Sequence, residues 1–291
     1  MASNSLLFTR NANNGALTTE RIRQLAPAVF STTHAENLTS RYVPMHTSEL
    51  LPVLADYGYQ PVQAAQKRSR KQSSEHAGHM LAFAKRDDIF TDSSSYRPEI
   101  IVYNSHDGSG AVKLFAGLYR FICSNGIVAG EGYNVRVLHS RSITGFETML
   151  RSIVDSLPSM LDNIQRLHDT KLTLDQAYTM AERSVQTRWD YLPRMSEQRI
   201  DPDNKLSGIY ATERTVSDVL RVTRNEDNYA DAFTVFNRIQ EGVIRGNAFV
   251  KSFTEKNPDG TLRKARSLGS IKEHVRINSE LWDIANEVAF A

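Results

Sequence analysis

The chain is almost free of cysteine, since Cys123 is the single cysteine among 291 residues. An intramolecular disulfide and a four-cysteine zinc site are therefore excluded, and the composition is typical of a protein from a reducing compartment. No apolar run reaches the ~20 residues that a membrane-spanning helix needs. Residues 1–16 also lack the basic segment and apolar segment of a secretory signal. We predict a cytoplasmic protein without a membrane partner.

Neither sign of charge is in excess. Lys and Arg total 35 against 33 Asp and Glu, for a net charge of +2. A uniformly basic coat protein is therefore excluded, and any nucleic-acid surface must be local. The sequence lacks both the G-x-x-x-x-G-K-[ST] loop of P-loop ATPases and a G-x-G-x-x-G motif after a strand. We therefore predict no cofactor.

Hydrophobic patterns predict an α+β fold for the first half of the chain. A short helix over Glu49–Tyr57 precedes three β-like runs that are separated by polar linkers, which is the outline of an antiparallel meander. After the turn cluster Asn104–Gly110 (NSHDGSG), apolar spacings of three and four predict a helix from Ala111 to Ile122. A further strand is predicted over Tyr133–Leu138. The three β-like runs are Gln60–Arg68, His79–Arg86 and Glu99–Tyr103.

Long helical patterns of apolar residues predict a mostly helical second half. We predict a mobile N-terminal arm over residues 1–40, an α+β core over residues 41–145 and a mainly helical region over residues 146–291. The core is expected to be a three- to four-stranded meander with a packed helix. The predicted helices of the second half are Phe146–His168, Thr173–Arg188, Thr215–Leu220, Asn228–Ile244 and Asn278–Phe290.

Enzymatic sites find little support in the sequence. Cys123 with His106 and Asp107 offers a thiol, a base and an orienting carboxylate. However, Cys123 follows Ile122 at the end of an apolar run, which favours a buried small hydrophobe. The residues that a metal-dependent nuclease would use are His76, His79, His106 and Asp107, with acid pairs at Asp87–Asp88 and Asp201–Asp203. Capping histidines and turn aspartates explain the same residues, so we favour a non-enzymatic protein.

Binding of nucleic acid has more support, because cations follow the ends of predicted strands. Hairpin connections would bring them to the rim of the sheet, where they would attract a phosphodiester backbone. In the predicted helix, Lys113 and Arg120 lie seven residues apart on one side. Tyr103, Tyr119 and Tyr133 offer rings for base stacking. A solvated rim with half-buried tyrosines is the alternative. The predicted nucleic-acid-binding residues are Lys67, Arg68, Arg70, Lys71, Lys85, Arg86, Lys113, Arg120, Tyr103 and Tyr119, and Arg97 belongs to the same rim.

Three further segments have two interpretations each. The NSHDGSG turn would cap the predicted helix, and the free N–H groups there would also suit a phosphate. A basic stretch in which Glu273 is the one acidic residue is either a solvated loop or a phosphate contact; its cations are Arg263, Lys264, Arg266, Lys272 and Arg276. In FNRIQEGVIRG, Arg238 and Arg245 lie seven residues apart and would line a pocket, whereas packing of the helix explains the apolar residues.

Several segments together resemble a family of phage- and plasmid-associated proteins of unknown function that includes the prophage YfjQ, YafZ and YubP proteins. The resemblance runs from about Arg41 to the C-terminus. It is most specific at NSHDGSG, followed by the YRFICSNG segment (Tyr119–Gly126). It implies a mobile genetic element in a bacterial cytoplasm and no defined activity.

The order of short helix, meander and long helix is also similar to the core of single-strand annealing proteins of the Rad-fifty-two type. This similarity concerns element order and no motif residues, and fold-level analogy is a limited warrant for function. It implies an ATP-independent homo-oligomer, in that family a ring, that holds single-stranded DNA for recombination. The alternatives are an anti-defence protein that binds a host complex and, third, the metal-dependent nuclease.

Overall fold

The computed structural model describes residues 15–36, 38, 42–67, 74–90, 96–108, 110–120, 125–128, 134–137, 143–190, 192, 205–246, 248–254 and 257–291. The fold is α+β, as predicted. It comprises an antiparallel sheet flanked by helices in the first half and a mostly helical second half. The chain divides into two compact units, a sheet unit that ends at Met160 and a helical unit that begins at Leu161. This division falls within a long helix, beyond the predicted boundary near residue 145.

The sheet unit begins with helix α1 (Thr19–Leu25) and a 3₁₀ helix, Pro27–Phe30. Both lie in the region predicted as a mobile arm. Ile22 and Val29 are buried, so this part of the arm is packed, because its apolar residues find partners in the sheet unit. Residues 1–14 lie outside the described part of the chain.

Helix α2 (Thr47–Asp56) has Pro52 in its first two turns and packs against the first strand. In the described part of this unit six strands follow, all paired antiparallel, in the order β1-β2-β3-β4-β5, with β6 on β4 beside β5. The predicted meander is therefore confirmed and extended. A short helix, α3 (Arg86–Phe90), separates β2 from β3. The strands are β1 (Tyr59–Gln66), β2 (His79–Lys85), β3 (Tyr96–Asn104), β4 (Val112–Arg120), β5 (Asn125–Val128) and β6 (Asn134–Val137).

The helix predicted from Ala111 to Ile122 is wrong, since Val112–Arg120 is strand β4. Leu114, Ala116 and Leu118 point to one face of the sheet and Phe115 to the other, and all four are buried. A strand that is buried on both faces has a nearly continuous apolar sequence. The spacing of its apolar residues cannot distinguish such a strand from a helix. Gly117 sits where a Cβ would come 2.8 Å from Cδ1 of Ile101 on β3.

Helix α4 (Ile143–Asp169) follows the sheet, with buried apolar residues every three or four positions from Phe146 onward. Within the described residues, the helical unit contains four more α-helices, a 3₁₀ helix (Asn225–Asp227) and a two-stranded antiparallel sheet. The predicted helical second half is therefore confirmed, although the hairpin was not predicted. The helices are α5 (Leu174–Arg188), α6 (Lys205–Leu220), α7 (Ala232–Arg245) and α8 (Ile271–Phe290), and the strands are β7 (Phe249–Thr254) and β8 (Asn257–Lys264).

Helix α7 lies at the centre of the helical unit and is buried on nearly every side. Asp231 caps it at the N-terminus, where its carboxylate accepts a hydrogen bond from the Thr234 N–H at 2.9 Å. Gly246 ends it in the left-handed conformation, with φ of 78°, which is typical of glycine after a helix. The buried amide of Gln240 donates to Asn278 Oδ1 on α8 at 2.9 Å.

Candidate nucleic-acid interface

Antiparallel pairing places three residues in one row across the sheet. Tyr103 on β3 pairs with Lys113 on β4, and Lys113 pairs with Arg136 on β6. Directly paired residues project from the same face, with Cβ atoms about 5 Å apart. Arg136 is exposed and Lys113 is half-buried, and neither forms an ion pair with any residue that the structure describes. An aromatic ring and two unneutralised cations therefore stand side by side at one end of the sheet, which we call the Tyr103 end.

The tyrosine ring is held in place by two glycines. A Cβ at Gly78 would come 2.6 Å from the Tyr103 hydroxyl, and a Cβ at Gly110 would come 3.6 Å from the ring. Burial, followed by the nearby charge of Asp107, raises the pKa of Tyr103. The phenol therefore stays protonated at neutral pH, so the ring is uncharged and can donate a hydrogen bond.

Lys67 lies at the same end of the sheet. Its backbone N–H donates to the carbonyl of Gly78 at 2.7 Å, and its side chain is exposed. Arg68, Arg70 and Lys71 follow it in sequence and lie outside the described residues. Among the described residues of the predicted set, three therefore come together at this end: Lys67, Tyr103 and Lys113.

The NSHDGSG segment connects β3 to β4 and opens no helix, so the expected helix N-terminus for phosphate is wrong. Its first two residues, Asn104 and Ser105, take part in a buried hydrogen-bond network. Asn104 donates from Nδ2 to the Met45 carbonyl at 2.8 Å and to Thr47 Oγ1 at 2.9 Å. Its Oδ1 accepts from the Ser105 N–H at 2.8 Å. The segment therefore ties the connection before α2 to the end of β3.

His79 belongs to the same network. Its Nδ1 donates to the Ala77 carbonyl at 2.9 Å, so in the neutral ring Nε2 accepts from the Thr47 hydroxyl at 2.7 Å. Its ring also packs against that of His106, with 5.2 Å between centroids. His76 contacts Thr33 through Nε2 at 2.9 Å. Within the described residues, no group of three or more His, Cys, Asp or Glu is placed to hold a metal ion.

The remaining predicted cations lie at the opposite end of β2. Lys85 pairs with Tyr59 at the start of β1, and Lys85 and Arg86 are exposed. Strand β2 advances about 3.3 Å per residue, so these residues stand roughly 20 Å from the Tyr103 end. The predicted single rim of cations is therefore two separate groups, because the strand ends alternate between the two ends of the sheet.

Arg97 and Tyr119 do not lie on a rim. Arg97 is 1% exposed and pairs with Glu99 on the same strand at 3.0 Å. Its guanidinium also lies 5.8 Å from the centroid of the Tyr119 ring, which is 3% exposed. Arg120 ends β4, and a strand has a side-chain period of two, so the helical spacing that joined it to Lys113 does not apply. Its side chain lies outside the described part of the chain.

Arg136 is the residue that sequence reasoning missed at the Tyr103 end. The alternation of YNVRVL predicts its strand, and that prediction is confirmed by β6. The pairing partner of that strand cannot be read from alternation, because any edge strand accepts it. Only the register places Arg136 beside Lys113.

The basic stretch of the second half divides in the structure. Arg263 and Lys264 are exposed and lie at the end of strand β8, whereas Arg266 lies in the loop that follows. Arg276 on α8 is paired with Glu273 at 2.8 Å and with Glu280 at 2.8 Å. Its charge is therefore matched within the helix. Cys123, Tyr133 and the pair Asp201–Asp203 lie outside the described residues.

Comparison with known proteins identifies the family to which this chain belongs. A family model described as a domain of unknown function, DUF932, matches residues 35–282. The chain belongs to that family. It is 29% identical to UPF0380 protein YafZ of Escherichia coli (strain K12) over 277 residues, which covers 92% of this chain and 90% of the relative. It is 28% identical to UPF0380 protein YfjQ of the same organism over 280 residues, with the same two shares.

The predicted resemblance to the family that includes YafZ and YfjQ is thus confirmed. No solved structure matches the chain. The similarity to single-strand annealing proteins therefore remains a prediction. Among the described residues, no helix is long and apolar enough to cross a membrane.

Proposed function

We propose that the protein binds single-stranded DNA at the Tyr103 end of its sheet and holds strands for annealing during phage or plasmid recombination. In this proposal it acts in the bacterial cytoplasm as a homo-oligomer, without ATP or another cofactor. The observation that carries the proposal is the row of Tyr103, Lys113 and Arg136 on three paired strands.

The chemistry of the row suits a single strand better than a duplex. A tyrosine ring stacks on an unpaired base at a gain of about 1–3 kcal/mol per base, whatever the base. Lys113 and Arg136, which follow the ring along the row, neutralise phosphates and release counterions. Sheet surfaces that combine aromatic and basic residues are a recurrent platform for single strands. Lys67, whose side chain is exposed, adds a third cation at the same end.

The test is the salt dependence of binding. Fluorescence anisotropy with a labelled single-stranded oligonucleotide is measured across a salt series for the wild type and for Lys113→Gln with Arg136→Gln. For single strands the slope of log K against log salt is about −0.7 per phosphate contact. Loss of two contacts should therefore make the slope shallower by about 1.4.

The matched control replaces two exposed cations at the opposite end of the sheet, Lys85→Gln with Arg86→Gln. It removes the same charge and should leave the slope unchanged. Equal effects of the two double variants would mean that binding depends on net charge alone and would contradict the proposed site. A wild type that binds no single strand would contradict the function and favour a host-protein partner.

The annealing step and the oligomer have their own assays. Complementary oligonucleotides should anneal faster with the protein and without ATP, and the Lys113→Gln and Arg136→Gln variant should lose this acceleration. Light scattering should give a mass that is a multiple of 32.8 kDa. A monomer that binds single strands without annealing them would reduce the proposal to strand binding.

A further inference from the structure

A cleft of 740 Å³ opens in the helical unit. This volume falls within the range of about 300–1,000 Å³ that is typical of small-molecule sites. Helices α5, α6 and α7 supply its walls. The residues that carry its chemistry are Tyr178, Arg214, Asp218, Arg221 and Arg238.

Helical spacing explains why these side chains meet. Leu174 and Tyr178 lie four residues apart on α5, so they share a face. The same rule places Arg214 and Asp218 together on α6, with Arg221 directly after the helix end. Leu174 is 73% exposed and Tyr178 is 37% exposed. One wall of the cleft is therefore apolar and aromatic, and it is open to a ligand.

The carboxylate on α6 is already engaged. Asp218 has a side chain that is 5% exposed. It accepts a hydrogen bond from the Phe249 N–H at 3.0 Å and from Arg214 Nε at 3.4 Å. Arg221 is exposed and forms no ion pair with any residue in the described ranges. Positive charge is therefore left over, although the exposed Glu213 also lines the cleft.

Arg238 supplies a second source of unmatched donors. Its Nη2 donates to the Tyr229 carbonyl at 3.3 Å, whereas its buried Nε has no hydrogen-bond partner among the described residues. Burial lowers the pKa of Arg238, and the charges of Asp227 and Asp231 oppose that shift. A buried donor without an acceptor is costly, and an oxyanion of a bound ligand would satisfy it.

We propose that this cleft binds a phosphorylated small molecule with a planar ring, of the nucleoside monophosphate class. Arg221 and Arg238 bind the phosphate, since planar guanidinium groups match its oxygens in pairs. Tyr178 stacks on the ring, with Leu174 beside it. The site lies wholly within the helical unit. The proposal for this cleft therefore does not depend on the proposed function of the Tyr103 end.

The experiment is calorimetric titration of the full chain, without DNA, using three probes: AMP, adenosine and inorganic phosphate. AMP should bind, and the other two probes should bind about tenfold more weakly or worse, since each lacks one half of the contacts. Arg221→Gln and Arg238→Gln should each weaken AMP about tenfold or more. Arg266→Gln, which removes an exposed arginine outside the cleft, should change nothing.

Several results would overturn the proposal. These are the absence of AMP binding at millimolar concentration, equal binding of adenosine, and AMP affinity that survives both arginine substitutions. Because Arg238 is half-buried, its variant is checked by the fluorescence of the buried Trp282. Arg221 is exposed, so Arg221→Gln tests the phosphate contact even if the other variant unfolds. Tyr178→Ala should weaken AMP and leave phosphate unchanged, and equal loss for both would contradict stacking.

Discussion

Removal of the Thr47 hydroxyl tests the buried network that fixes the start of the NSHDGSG segment. Thr47→Val keeps the shape of the side chain. It leaves His79 Nε2 without the donor at 2.7 Å and takes one of two acceptors from Asn104 Nδ2. Leaving a buried polar group unsatisfied costs about 1–3 kcal/mol. Opening of β2 should therefore become about 5- to 150-fold more frequent.

The assay must report on the sheet unit alone. Both tryptophans, Trp189 and Trp282, lie in the helical unit, so fluorescence does not follow the network. Hydrogen exchange of a peptide that covers β2 reads the local free energy of opening. Its protection should fall by the factor given above.

Thr148→Val is the matched control. Its hydroxyl is exposed and donates to the Thr144 carbonyl of its own helix at 3.0 Å, so the expected change is within about 0.5 kcal/mol. The reasoning is refuted if Thr47→Val lowers the protection of β2 no more than Thr148→Val does.

Two further predictions concern the helical unit and use tryptophan fluorescence during urea unfolding. Gly246→Ala should lower the free energy of unfolding by about 2 kcal/mol or more, because it strains a residue at φ 78° and drives a Cβ to 2.6 Å from the Arg266 carbonyl oxygen. Gly269→Ala, with nothing within 4 Å of its Cβ, should stay within about 0.5 kcal/mol, and equal losses would contradict the argument. For His274, burial above all, with the nearby charge of Arg188, lowers the pKa to about 3. This pKa is below the unfolded value, so its stabilisation is present above pH 6.5 and is lost as the pH falls towards 3. Between pH 7 and pH 5 the wild type should lose about 2 kcal/mol more than His274→Asn does, and parallel curves would show that the ring does not titrate in this way.

The general layout could be predicted from the sequence because most elements have a single period. The strands at Gln60–Arg68 and His79–Arg86 alternate or run apolar between polar linkers, and they are found as β1 and β2. The helix that ends at Gly246 has both of its signals, a capping Asp231 and a terminal glycine. Periodicity and capping residues were therefore sufficient to predict the type of these elements.

Strand β4 could not be predicted because its type depends on its neighbours. Leu114, Phe115 and Leu118 fit a helical face as well as a doubly buried strand. Pairing with β3 favours the strand in the folded protein, but that neighbour cannot be read from the local sequence. Tertiary pairing overrides spacing in this segment.

The candidate site could not be predicted without the register of the sheet. Lys113 and Tyr103 were predicted as binding residues for separate reasons, one on a helix and one on a strand. Their pairing makes them neighbours, and the pairing of Lys113 with Arg136 adds a residue that no motif marks. In the helical unit, Arg238 lines the cleft. This agrees with the interpretation in which Arg238 and Arg245 line a pocket. Arg245 instead forms an ion pair with Glu241, with 3.6 Å between Nη1 and Oε1. The two residues are four positions apart, so they lie on the same side of the helix.

The most direct measurement for the central claim is photochemical cross-linking of the full chain to a single strand that contains 5-iodouracil, with mapping of the linked peptide by mass spectrometry. Aromatic rings that stack on the base are the favoured partners. If single strands bind at the Tyr103 end, the linked peptide contains Tyr103, and Tyr103→Leu removes this link. Binding of the strand with links only to peptides of the helical unit, or with unchanged links in Tyr103→Leu, would contradict binding at that end.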